Sequence, residues 1–135
     1  VIAVDTSVWI PYLRDDDLPA VRLLHALFRQ DRIVAGDIVL TEVLQGVRDE
    51  RTAAIVRARL ERLYNPTMIG PRNAVEAAAL YRRLRTAGVT VRKTVDLWIA
   101  TWCIAHGVAL LHQDRDFTAI ARHEPGLIEV PVPTT

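Results

Sequence analysis

Val1-Ile2-Ala3-Val4-Asp5-Thr6-Ser7 is the stretch whose reading decides the fold. Four apolar, mostly β-branched residues pass without a turn into a polar cluster. A parallel strand buried on both faces ends in this way at a functional edge. The same passage occurs near the other end of the chain, where Val108-Ala109-Leu110-Leu111 runs into His112-Gln113-Asp114-Arg115-Asp116. Ile33-Val34-Ala35 is a third short apolar run, Thr67-Met68-Ile69 a candidate strand, and Ile128-Glu129-Val130 a last edge strand.

Helical segments fill the intervals. Ser7 is expected to cap a short helix through Leu13, and Asp15 to Asp17 to cap a second one ending near Gln30. Ile38 to Gly46 reads as a helix closed by its glycine, and Asp49 caps a helix with Ala53, Ile55, Val56 and Leu60 roughly on one face. Pro71 or Arg72 opens a helix that runs to Ala87 and stops at Gly88. Asp96 to Ala105 is a helix ended by His106-Gly107, and a short helix follows Asp116. The prolines of Pro131-Val132-Pro133-Thr134-Thr135 cannot continue a sheet, and that tail is expected to fray. Strand and helix alternate throughout, which predicts a single three-layer α/β/α domain over residues 1–135 around a central, mostly parallel, twisted sheet.

Composition agrees with this and excludes other classes. Of 135 residues, 50% are hydrophobic and 24% charged, enough apolar material to offset chain entropy and rule out a disordered segment. Seventeen basic against sixteen acidic residues leave a net charge of +1, unlike a strongly cationic nucleic-acid binder. Lys93 is the only lysine. The single cysteine, Cys103, can form neither an internal disulfide nor a thiolate metal site, and it reads as a small core residue. No secretory signal pattern and no membrane span is legible, so a cytoplasmic protein is expected.

Acidic residues stand where acids are costly. Asp5 and Asp114 follow buried strands, with Asp116 two residues on; Asp96 opens the apolar helix Leu97-Trp98-Ile99-Ala100; Glu42 interrupts Ile38-Val39-Leu40-Thr41-Glu42-Val43-Leu44. Alone, Asp96 reads as a helix N-cap, Asp114 and Asp116 as turn and cap residues, and Glu42 as the exposed ridge of a helix. Asp5 resists any such reading. Together, carboxylates converging on one sheet edge repel unless cations neutralise them, and an all-oxygen donor set selects hard ions such as Mg²⁺ or Mn²⁺. Such ions serve phosphodiester hydrolysis. His25, His106, His112 and His123 read as structural or surface residues, and Trp98 and Trp102 as core or subunit contact.

The pieces Val4-Asp5-Thr6-Ser7-Val8-Trp9, Glu42 with Leu44-Gln45-Gly46, Thr94-Val95-Asp96 with Ile99-Ala100, and His112-Gln113-Asp114-Arg115-Asp116-Phe117 occur in an order that resembles PIN-domain ribonucleases. More narrowly, the chain resembles the VapC toxins of type II toxin–antitoxin systems. The resemblance spans essentially the whole chain. It implies that Asp5, Glu42, Asp96 and Asp114 form an acidic quartet around Mg²⁺, with Mn²⁺ as substitute, and that Asp116 is a fifth acid. Asp5 and Asp96 would be direct ligands, Asp114 and Asp116 would join the metal set, and Thr6 or Ser7 would orient Asp5. It further implies an endoribonuclease that cleaves tRNA, rRNA or mRNA and inhibits translation, a homodimer, and a VapB-type antitoxin that covers the site. Arg72, Arg92, Lys93 and Arg115 are the expected RNA phosphate contacts. Pro11, early in the first helix, departs from a smooth helical pattern.

Two other readings compete. A phosphoacceptor or phosphatase domain using Asp5 as nucleophile would want a second acid at the place of Ser7, or an acidic pair near Asp5 and a late lysine, and these are missing. A catalytically inactive PIN-like scaffold that binds RNA or protein would have lost acids, whereas all five positions are filled.

Overall fold

Three short parallel strands set the architecture of the computed structural model, which describes residues 1–30 and 32–134. In chain order the elements are β1 (Ile2–Val4), α1 (Thr6–Leu13), α2 (Pro19–Leu27), β2 (Ile33–Val34), α3 (Asp37–Gln45), α4 (Glu50–Glu61), α5 (Pro71–Thr86), α6 (Thr94–His106), β3 (Ala109–Leu111) and α7 (Arg115–His123). The sheet order is β2-β1-β3, with Ala3 opposite Val34 on one side and Leu110 on the other. Isolated parallel bridges, Val34 with Tyr64 and Leu110 with Glu129, extend it at both edges. The expected strand at Ile128–Val130 is thus reduced to a bridge.

The three layers follow from this order. The β1-to-β2 connection moves one way across the sheet and the β2-to-β3 connection moves back past β1. Right-handed crossovers in opposite directions place their helices on opposite faces. Exits from β1 and β3 therefore diverge, which opens a crevice between their carboxyl ends. Asp5 and Asp114 are the residues that stand there.

Helix α6 is the centre of the packing. It is apolar nearly all round, as befits a helix covered on several sides, and Leu97, Ile99, Ala100, Trp102 and Cys103 are buried. It packs on α5, α7 and β3. Cys103 is a core residue as expected, and burial pushes its thiol up to about 12, with the Asp5 charge adding to the shift. Among the described residues no helix is long and apolar enough to cross a membrane.

Several boundaries differ from the sequence reading, each for a local reason. The cap of α1 is Asp5, whose carboxylate accepts from Ser7 N–H, so the helix starts at Thr6 rather than after Ser7. Asp15 to Asp17 do not cap α2; Leu18 precedes Pro19 at its first turn, Asp15 adopts positive φ, and Asp17 pairs with Arg22. That helix ends at Leu27, short of Gln30. Gly46 closes α3 in a right-handed conformation, so no left-handed turn ends that helix, whereas Gly107 closes α6 with φ 62°. Lys93, not Asp96, is the N-cap of α6, which begins two residues earlier than expected, and α7 begins at Arg115 behind its cap Asp114. Thr67–Ile69 is not a strand, because the Met68 N–H donates to the Asp37 carboxylate at 2.7 Å and not to a neighbouring strand. Pro131–Thr134 forms no regular element, and Thr135, the end of the expected frayed tail, lies outside the described residues.

The same segment explains Gly36. Its φ is an ordinary −65°, but a Cβ there would land in the side chain of Met68, which is buried. Gly36→Ala is therefore expected to cost about 1–3 kcal/mol by overpacking. Thermal or denaturant unfolding should show the loss, and in a Met68→Ala background the same substitution should cost less.

Candidate metal centre

Two strand ends and one helix start build the site. Asp5 leaves β1 buried, with its N–H donating to Leu111 O at 3.0 Å, so the strand register itself holds its backbone. Its Oδ2 accepts from Ser7 N–H at 3.0 Å. Asp114 repeats the arrangement after β3: its Oδ1 accepts from Asp116 N–H at 2.9 Å and caps α7. Each acid thus uses one oxygen as a helix cap, a charge-assisted bond at the positive end of a helix.

Asp96 is different. It sits in the first turn of α6, 1% exposed, and its Oδ2 is buried without a hydrogen-bond partner. Such an oxygen is costly unless something outside the chain's own hydrogen bonds meets it. Carboxylate oxygens of Asp96, Asp114 and Asp116 lie within 4.8 Å of one another. An all-oxygen trio at that spacing, one member orphaned in the interior, fits a hard divalent cation. Asp5 lies outside this trio. Its charge nevertheless acts on Asp96, Glu42 and Lys93, so it belongs to the same electrostatic unit.

Charge crowding is visible in proton affinity. Burial raises the Asp96 carboxyl to about 7 against an ordinary 3.8; Lys93 opposes the rise, and Asp5, Asp114 and Glu42 add to it. Burial raises Glu42 as well, opposed by a hydrogen bond from Thr6 and reinforced by Asp5. Asp114 moves the other way. Burial works against its charge, but the Asp116 N–H and Lys93 together outweigh it and hold the carboxyl below its usual range.

Supporting groups are placed more specifically than the sequence revealed. The Thr6 hydroxyl donates to Glu42 Oε1 at 2.9 Å, so it orients Glu42 and not Asp5. The Ser7 hydroxyl accepts from Gln113 N–H at 3.0 Å, and Ser7 O accepts from Gln113 Nε2 at 3.0 Å. That carbonyl is free because Pro11, four residues on, has no N–H to offer it. The proline that looked like an irregularity thus releases the acceptor that ties α1 to the Asp114 loop. His112 Nδ1 accepts from Asp114 N–H at 3.0 Å and Nε2 pairs with Glu129 at 2.7 Å, which fixes the same loop from behind. Gln113 and Glu129 carry no local signal in the sequence, since their partners are 106 and 17 residues away.

The expected cationic contacts divide. Lys93 Nζ lies 3.3 Å from Asp114 Oδ2 and 3.7 Å from Asp96 Oδ2, and Arg92 lies 3.4 Å from Asp116. Arg115 is exposed at the start of α7. Arg72 is brought elsewhere: with Asn73, Trp102 and His106 it lines a cavity of about 560 Å³ between α5 and α6 that includes none of the five acids. His106 stacks on Trp102 there at 4.3 Å and His25 lies against Tyr12 at 4.9 Å, both structural placements.

Comparison with known proteins agrees with this fold. The PIN domain family model matches residues 2–123. VapC ribonuclease Mb1587 of Mycobacterium bovis and ribonuclease VapC11 of Mycobacterium tuberculosis are each 36% identical over 127 residues, covering 90% of this chain and 92% of theirs. Among solved structures, DNA-bound VapBC from Salmonella typhimurium superposes with TM-score 0.75 at 21% identity, covering 96% of both chains. VapBC2 from Rickettsia felis, bound to a promoter DNA fragment, gives 0.74 at 20% identity over the same shares. At those identities the likeness speaks for the fold.

The raised Asp96 carboxyl predicts a pH dependence. Between about 3.8 and about 7 the folded state binds this proton and the unfolded chain does not, so stability falls as pH rises through that window. In EDTA, melting temperatures of the wild type should fall more steeply between about pH 4.5 and about pH 7.5 than those of Asp96→Asn. At the upper end the variant should be at least as stable as the wild type, because it lacks one of the repelling charges. A difference between variant and wild type that stays constant across this window would show that the Asp96 carboxyl is ionised throughout it in the folded state, and would overturn the raised proton affinity.

Proposed function

The chain belongs to the PIN-domain family and, within it, to the VapC ribonucleases, and from that membership we propose that it is a toxic, Mg²⁺-dependent endoribonuclease whose RNA cleavage inhibits translation. The observation that carries this reading is the convergence of Asp96, Asp114 and Asp116 beside Asp5 and Glu42, with the Asp96 Oδ2 buried and without a hydrogen bond. Asp96, Asp114 and Asp116 would hold the ion, with Asp5 adjoining. Mn²⁺ would serve as substitute. When bound, a hard divalent ion supplies the charge that polarises a phosphodiester and activates water against it.

The chain's own groups do the rest. Thr6 holds Glu42 Oε1, which leaves Oε2 to take up or return a proton, a task suited to a carboxyl whose proton affinity burial has raised. Ser7 and Gln113 keep the two acid-bearing loops in register. Exposed Arg115, with Arg92 and Lys93 at the rim, meets RNA phosphates, which makes binding weaken with salt. The RNA is a tRNA, rRNA or mRNA. A homodimer and a cognate VapB-type antitoxin are the protein partners, the latter supported by the VapBC assemblies among the structural neighbours. The cytoplasm, where these RNAs take part in translation, is the compartment that suits this activity.

Purified protein should cleave structured RNA with Mg²⁺ or Mn²⁺ and stop in EDTA. Asp96→Asn should lose at least about a hundredfold, beyond what changes to outer-shell partners cost at a metal site. Robust cleavage in EDTA by a preparation shown free of other nucleases would overturn the metal mechanism. Sequencing RNA ends after brief expression would identify the target.

The acid cluster also predicts how the partner inhibits. An antitoxin should place an arginine against these carboxylates, since a guanidinium pairs with them in a fixed fork. Charge reversal of that arginine should relieve inhibition. Unchanged inhibition would mean that the block is made elsewhere.

A further inference from the structure

The only lysine of the chain stands at the point where negative charge is densest. Lys93 Nζ contacts Asp114 Oδ2 at 3.3 Å and Asp96 Oδ2 at 3.7 Å, two of the three acids whose oxygens converge. The choice of oxygens matters. Asp114 Oδ1 is committed to the Asp116 N–H, and Asp96 Oδ2 is the orphaned atom, too far from the ammonium for a hydrogen bond. The oxygens best able to serve a cation from solution are therefore the ones that Lys93 faces.

The anchorage of this side chain is equally telling. Its backbone is fixed as the N-cap of α6, while the side chain is 54% exposed. An ammonium on a flexible four-carbon stem exchanges partners readily, whereas an arginine fork held by two bonds would not. Two cations cannot share the same carboxylate oxygens without strong repulsion.

We propose that Lys93 is a tethered counter-cation of the acid cluster: its ammonium competes with the divalent ion for Asp96 and Asp114, and it must swing out for the ion to bind. This rests on the metal-centre reading above. The swing gives the displaced ammonium a new task, because it arrives at the rim of the site as a free cation able to take a phosphate of the substrate. Linkage makes the effect reciprocal: a phosphate that holds Lys93 outside tightens the ion, and the ion tightens the phosphate by the same factor. The acids are thereby screened in the unloaded protein, and loading is coupled to substrate.

Mn²⁺ titration of the full-length, EDTA-stripped protein, followed by calorimetry or by the spin resonance of free Mn²⁺, tests this without any cleavage assay. Wild type should bind saturably and Asp96→Asn should not. Lys93→Met should lower the Mn²⁺ dissociation constant roughly tenfold, and Lys93→Arg, which keeps the charge and holds the acids in a less readily displaced fork, should leave it unchanged or raise it. Lys93→Gln is the second neutral variant should Lys93→Met fail to fold. A 2′-O-methyl oligoribonucleotide, which lacks the free hydroxyls of RNA, should tighten Mn²⁺ in wild type but not in Lys93→Met. An affinity unchanged or weakened in the neutral variants, with Asp96→Asn still abolishing binding, would overturn the role of Lys93 and leave the metal centre standing. Absence of saturable Mn²⁺ binding in wild type would overturn both.

Discussion

Parallel pairing of β1 with β3 is the constraint on which the rest of the structure depends. Ala3 lies opposite Leu110 and Val4 opposite Leu111, and the Asp5 N–H closes the ladder on Leu111 O. Both strands therefore end at one level. Their exits diverge to opposite faces, so two acids that are far apart in sequence come to the same crevice. Helix α6 reaches this crevice with its N-terminus and delivers Asp96 as the third acid.

The apolar environment that makes the fold stable makes these charges expensive. Burial around α6 leaves Asp96 Oδ2 without a hydrogen bond, and neighbouring acids raise the proton affinity of the carboxyl further. Helix N-termini and two cations at the rim offset part of the cost. Asp5 and Asp114 each receive a helix N–H, while Lys93 and Arg92 lean over Asp96, Asp114 and Asp116. Stability is surrendered locally at Asp96 so that an oxygen donor is ready. Acids already in place would let an ion bind at the proposed centre without rearrangement of the backbone.

Second contacts show how a rigid site can rest on short strands. Strands of two or three residues provide few ladder bonds, and side chains supply the remainder. Gln113 makes two bonds to Ser7, His112 and Glu129 brace Asp114, and Asp37 gathers the segment around Met68. Pro11 takes part through a missing donor: without its N–H the Ser7 carbonyl is left for Gln113.

Local signals in the sequence determined the alternation of strand and helix, the strand-edge position of Asp5 and Asp114, and the five acids as a set, since apolar runs, caps and misplaced charges are short-range features. The resemblance to PIN-domain ribonucleases was legible from four short pieces in order. Roles among the acids were not. Taken alone Asp96 reads as a cap, yet its Oδ2 is buried without a hydrogen bond, and Asp5 and Asp114 are the caps. Thr67–Ile69 read as a strand, but its amides are claimed by Asp37, about thirty residues earlier. Only the tertiary structure decided that Asp96, Asp114 and Asp116 share one space, that Arg72 lies apart from them, and that Lys93 faces the free oxygens. Those outcomes depend on the parallel register and on the packing of α6, which join residues with no local pattern in common.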